Sequence, residues 1–195
     1  IYLIPGLFGA PLKLISGFPP PMHYSESPDG FGGSKSSSEI KEVLPEGAEF
    51  GPQNIITFHD YNKGMEFAKK AGKPVLLDFT GYACVNCRKM EELVWSDAKV
   101  LGVLKNEVVL ISLYVDDKKE LPENEQYISE TTGKKIKTIG NKWSDLQIKT
   151  YKANAQPFYV IVDHKSANLT EPSAYNPNIG DYYNWLNSGI KNFKK

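Results

Sequence analysis

Apolar positions change texture along the chain near residue 55, and most of the fold is written after that point. "IITF" at 55–58 reads as a short strand. "YNKGMEFAKKAG" at 61–72 reads as a helix, with Met65, Phe67, Ala68 and Ala71 on its apolar side and Gly72 as its stop. "KPVLLDFT" at 73–80 is a continuous apolar run, short and without alternation, as in a central strand buried on both faces. "RKMEELVW" follows with Met90, Leu93 and Val94 at helical spacing. "SDAKVLGVLKN" at 96–106 is a further helical stretch with Ser96 as its expected N-cap. "EVVLISLYV" at 107–115 is a second buried strand. Residues 116–142 are polar and rich in Lys and Glu, and are expected to be an inserted surface loop. "WSDLQIKTYKA" then gives a helix, "PFYVIVD" a strand opening on a proline, and "IGDYYNWLNSGIKNF" an amphipathic helix carrying Tyr182, Trp185, Leu186 and Ile190.

Strands alternating with helices predict an α/β protein whose central sheet is at least partly parallel and covered on both faces. Before residue 55 the pattern is different. "GFPPPMHYSESPDGFGGSKSSS" is dense in Pro, Gly and Ser, so 17–54 is expected to be a linker. "IYLIPGLFGAPLKLIS" at 1–16 is apolar, lacks the basic start of a signal peptide, and is too short to cross a bilayer. It is read either as an arm packed on the domain or as the tail end of a membrane segment. A chain opening on Ile1 is expected to be a processed or cut piece.

Composition narrows the function classes. The 195 residues carry 23 basic and 23 acidic side chains, and this balance argues against nucleic acid as a partner. Lys191, Lys194 and Lys195 read as a solvated helix end. With 41% hydrophobic residues the chain can bury a core without disulfide staples.

Both cysteines lie in "GYACVNCRKMEEL", as Cys84 and Cys87. Three readings compete. A zinc site needs two more ligands, and His23, His59 and His164 show no matching spacing; they read more simply as surface or turn residues. A structural disulfide between residues three apart closes a tiny loop and stabilises little. A redox dithiol fits the position best. Helix-forming residues directly after a buried strand put Cys84 at a helix N-terminus above the sheet's carboxyl edge, where unpaired amides stabilise a thiolate. Cys87 then sits one turn in, shielded from solvent and able to resolve a mixed disulfide.

"KPVLLDFTGYACVNCRKMEE" resembles the active-site segment of thioredoxin-fold proteins. More narrowly, it is similar to the C-terminal thioredoxin-like domain of the bacterial transmembrane thiol:disulfide interchange proteins, DsbD. The resemblance covers about 55–192. It rests on "GKPVLLDF", the Asp six residues before the first Cys, the "CVxC" form and the acidic residue seven after that Cys. It implies a thioredoxin-like domain at 55–195, and a cis-proline before a strand, for which "NAQPFYVIV" offers Pro157. It also implies an electron relay that needs no cofactor or metal beyond the Cys84–Cys87 dithiol. Electrons would pass from a membrane-embedded donor domain to periplasmic disulfide proteins, on the periplasmic side of the inner membrane. A membrane tether upstream of residue 1 and a monomeric domain are expected with it. A free-standing periplasmic oxidase or isomerase, and a non-catalytic binding module, are the alternatives. The family's usual Trp before the first Cys is absent: Ala83 stands there with Tyr82 before it, so the partner-docking surface is expected to differ.

Other residues follow with opposed readings. Asp78 stands inside an apolar run, where a charged carboxylate is costly unless paired or protonated. It is expected to be a buried proton acceptor or relay near Cys87, the alternative being a solvated strand end. Glu91 shares a helix face with Cys87 and is either a second carboxylate restraining the thiols or an exposed helix residue. Arg88, four after Cys84, is read either as favouring the thiolate or, more simply, as solvating the helix. The Gln156 backbone is expected to pair with an incoming strand, with Tyr82 and Ala83 beside it. Trp143, Trp185 and Tyr182 are expected in the core or on helix faces.

Overall fold

The computed structural model describes residues 44–194. The apolar arm at 1–16, the linker as far as residue 43, His23 and Lys195 lie outside the described residues. The strands are β1 (Ala48–Phe50), β2 (Ile56–Phe58), β3 (Val75–Thr80), β4 (Val109–Tyr114), β5 (Tyr127–Ile128), β6 (Lys135–Ile136), β7 (Phe158–Val162) and β8 (Ser173–Ala174). The helices are α1 (Tyr61–Ala71), α2 (Val85–Lys89), α3 (Ala98–Asn106), α4 (Ile139–Tyr151) and α5 (Ile179–Phe193). A π turn, Met90–Val94, continues α2.

One mixed sheet runs in the order β1-β2-β4-β3-β7-β8. β4 is parallel to β2 and β3, whereas β7 is antiparallel to β3. The central strands β3 and β4 are buried at every position, as continuous apolar runs require. Their pleat divides the core in two. Leu76, Leu110, Tyr159 and Ile161 face α2, α3 and α5, where they meet Met90, Val94, Leu104, Tyr182 and Leu186. Val75, Leu77, Phe79, Ile111 and Val160 face α1 and α4, where they meet Ala68 and Trp143. The fold is the expected α/β arrangement, a central mixed sheet flanked by helices.

Local chemistry sets the helix ends. The Asp60 carboxylate accepts the Lys63 amide at the start of α1, and Gly72 closes that helix in the left-handed region at φ 65°. Gly64 lets α1 lie directly on β4, since a Cβ there would stand 2.4 Å from Ile111 Cδ1. α3 is capped by Asp97, not Ser96: the Ser96 hydroxyl instead donates to the Glu92 carbonyl. Ser96 therefore satisfies a carbonyl of the preceding π turn, and the carboxylate one place later takes the cap.

Two further expectations need correction. Residues 48–54 do not belong to a linker: β1 pairs with β2, and Gln53 Nε2 donates to the Glu91 carbonyl, 3.1 Å away on the π turn. A three-residue edge strand carries too little apolar pattern to stand out beside Pro and Gly. The 116–142 insertion is likewise not a bare loop. It contains the β5–β6 hairpin, is anchored by buried Leu121, Ile136 and Ser129, and ends inside α4, which begins four residues before Trp143. Two-residue strands show no alternation, and Thr138 and Asn141, which form a capping box, mark the true start of α4.

Candidate functional site

β3 ends at Thr80, and the chain turns through Gly81, Tyr82 and Ala83 to Cys84, the N-cap of α2. The Cys87 amide donates to Cys84 Sγ at 3.1 Å. The two cysteines are joined as a disulfide. Cys84 is partly open to solvent and Cys87 is buried. The helix places the first sulfur where amides converge and hides the second, as the spacing predicts. On reduction, the Cys87 amide and the helix dipole favour a thiolate at Cys84.

The Gln156–Pro157 peptide bond is cis. Phe158 pairs with Phe79, so the register sets Pro157 beside Thr80, at the same sheet edge from which the chain enters the Cys84 loop. Ala83 is exposed, Tyr82 and Gln156 are half-buried, and Pro157 is buried. Tyr82 stacks on Tyr114 with ring centroids 4.1 Å apart.

Beneath α2 lies a buried polar cluster. Asp78 is only 2% exposed, and the pleat points it, with Thr80, toward the α2 face of the sheet. Its Oδ2 accepts from the Ser112 hydroxyl at 2.9 Å, while Oδ1 has no hydrogen-bond partner among the described residues. Burial pushes the Asp78 carboxyl up to about 7, against the Ser112 hydrogen bond and the nearby Arg88 guanidinium. Asp78 is thus buried and not a solvated strand end.

Glu91 is also buried, pushed upward by that burial while Arg88 pulls the other way. Arg88 Nη2 donates to Glu91 Oε1 at 2.6 Å and to Thr80 Oγ1 at 3.2 Å. Arg88 is 3% exposed, which corrects the expectation of a solvated helix residue. Its spacing to Glu91 is the only trace of this in the sequence: an i, i+3 pair of opposite charge. Tyr114 closes the cluster, its hydroxyl held far above the usual tyrosine range by burial. His59 Nδ1 lies 3.0 Å from the Ser112 carbonyl and His164 Nε2 2.9 Å from the Lys73 carbonyl, so both serve as partners of the backbone. Tyr182 and Trp143 are in the core, and Trp185 packs against it.

A raised carboxyl makes stability depend on pH. Between the ordinary value of 3.8 and about 7, unfolded Asp78 has lost its proton while folded Asp78 keeps it. Raising pH across that window therefore favours unfolding, and the loss levels off above it. The urea midpoint of the oxidised chain is expected to be higher near pH ~5 than near pH ~8. Asp78→Asn should remove roughly 2–4 kcal/mol of that difference. An equally steep profile in the variant would assign the titration elsewhere.

A family model described as thioredoxin-like matches residues 55–164. The chain belongs to the thioredoxin-like family. Among curated relatives, this thioredoxin-like chain is 34% identical over 58 residues to the thiol:disulfide interchange protein DsbD of Ralstonia nicotianae. The match covers 30% of the chain and 10% of that protein, so the chain spans about a tenth of the relative's length. A solved structure described as DsbH oxidoreductase shares the fold, with TM-score 0.50 and 16% identity over 82% of this chain and 95% of its own. A thioredoxin from Thermus thermophilus matches 66% of this chain and 82% of its own at 20% identity and TM-score 0.46. A thioredoxin-like thiol:disulfide oxidoreductase family is therefore supported, with the cysteine pair in place.

Proposed function

We propose that this chain is a protein-disulfide reductase domain that relays electrons from a membrane-embedded dithiol to periplasmic partner disulfides through Cys84 and Cys87. The observation that carries the reading is the disulfide at the N-cap of α2, with an accessible first sulfur, a buried second sulfur and Pro157 at the same sheet edge. The Cys84 thiolate attacks one sulfur of the partner disulfide, forming a mixed disulfide and releasing the partner's first thiolate. Cys87, having given up its proton, attacks Cys84 Sγ and expels the partner's second thiolate. Two electrons pass to the partner, and the two protons of the dithiol end on its thiols. Asp78, with its unpartnered Oδ1 on the face beneath α2, is the proton acceptor for Cys87, and Glu91 restrains the thiols. The dithiol itself carries the electrons, so no metal or organic cofactor enters the cycle. Tyr82, Ala83, Gln156 and Pro157 line the partner site.

The relay from a membrane donor, the periplasmic location and the single-copy domain are extended from the DsbD likeness. Among the described residues no helix is long and apolar enough to cross a membrane.

The test is the equilibrium reduction potential, read by thiol alkylation in glutathione redox buffers. A value near that of thioredoxin, about −270 mV, is expected. A value near that of DsbA, about −120 mV, would make the chain an oxidant and sink the proposed direction.

A further inference from the structure

Two loops meet at the sheet edge around Cys84: 81–83, which leads into it, and 155–156, which leads into Pro157. Each is held by one side chain from the long connection between β4 and β7. Asp116, just past β4, accepts the Tyr82 amide on Oδ1 at 2.9 Å and the Ala83 amide on Oδ2 at 3.0 Å. Gly81 makes room for this contact, since a Cβ there would stand 3.0 Å from Asp116 Oδ2. On the other side, Gln147 of α4 is fully buried. Its Nε2 donates to the Ala155 carbonyl at 2.9 Å, and its Oε1 accepts from Gln156 Nε2 at 3.3 Å. The two holds share one support. The Gly140 amide donates to the Asp117 carbonyl at 3.0 Å, and a Cβ on Gly140 would stand 2.6 Å from both the Asp117 nitrogen and the Val115 oxygen. The first turn of α4 therefore lies directly against the backbone that carries Asp116.

We propose that Asp116 and Gln147 are positioning residues, braced by α4, that fix the two walls of the groove in which an extended partner polypeptide lies during exchange at Cys84. The proposal rests on the thiol–disulfide reading above. Neither side chain transfers anything. Asp116 fixes the loop that presents the attacking sulfur, so every disulfide substrate depends on it. Gln147 fixes the backbone before Pro157, which only a substrate with a polypeptide chain can use. This gives the β4–β7 connection a purpose that a bare surface insertion would lack.

The test compares the pre-reduced chain acting on a disulfide-closed peptide and on a nitrobenzoate aromatic disulfide. Gln147→Met removes both hydrogen bonds at similar size. It is expected to lower the peptide rate about five- to ten-fold through a raised KM, and to leave the aromatic disulfide within about two-fold. Asp116→Asn is expected to slow both substrates alike, by about five- to ten-fold, through kcat. Gln147→Leu also lacks both hydrogen bonds and should behave as Gln147→Met; it stands in if that variant does not fold. Equal slowing of both substrates by a Gln147 variant would overturn the proposal, as would no slowing at all. Unchanged rates in Asp116→Asn would also overturn it. If the wild-type chain reduces neither substrate, the failure belongs to the functional reading and not to the brace.

Discussion

Cys84→Ser is expected to lower the reduction of a peptide disulfide by at least about 1,000-fold, because the attacking group is removed outright. A serine hydroxyl at the α2 N-cap still accepts the Cys87 amide, so the helix start survives while the nucleophile does not. Cys87 cannot substitute, since it lies buried behind the first turn. Cys87→Ala should separate the two half-reactions. Attack by Cys84 persists, but nothing expels the partner, and one equivalent of mixed disulfide accumulates. Mass spectrometry under non-reducing conditions reads the adduct directly. Turnover by Cys84→Ser at a rate close to wild type would remove Cys84 from its role. An adduct forming on Cys87 in Cys84→Ser would reverse the order of attack.

Arg88→Met is expected to cost about 3–5 kcal/mol of stability near pH ~9, where Glu91, pushed up to about 8, is ionised. Glu91 would be left buried beside Asp78 with its cation gone. Burial already pushes both carboxyls up, so without Arg88 Glu91 takes a proton at still higher pH. The cost should therefore shrink as pH falls, because a protonated Glu91 needs no counter-ion. Arg88→Met combined with Glu91→Gln should recover most of the loss, as a cycle on two contacting groups allows. Urea unfolding of the oxidised chain at unchanged slope measures all of these. A loss below about 1 kcal/mol, or a double variant no better than the single, would mean that the ion pair does not hold α2 to β3.

The order of the main strands and helices was legible because each depends on neighbours in sequence. β3, β4 and β7 are uninterrupted apolar runs, α5 has one apolar face, and Gly72 stops α1. The pair Cys84 and Cys87 was legible for the same reason: a strand followed by helix formers fixes where the first sulfur stands. Pro157 was found through the resemblance, and the cis peptide lies where the resemblance put it.

What escaped sequence reasoning depends on residues far apart in the chain. β1, β5 and β6 are too short to show a period and exist because a partner strand lies beside them. Arg88 reads as a surface cation until β3 supplies Thr80 and the sheet covers it. Asp116 and Gln147 look like ordinary polar residues, and only the packing of α4 against the β4 exit brings them to the two loops.

The sequence alone determined the local dihedral preferences, the hydrophobic runs and the helix start that sets the cysteines in place. Tertiary structure alone decided which polar groups lost their water. A side chain's solvation is a property of everything packed around it, and no local pattern records that.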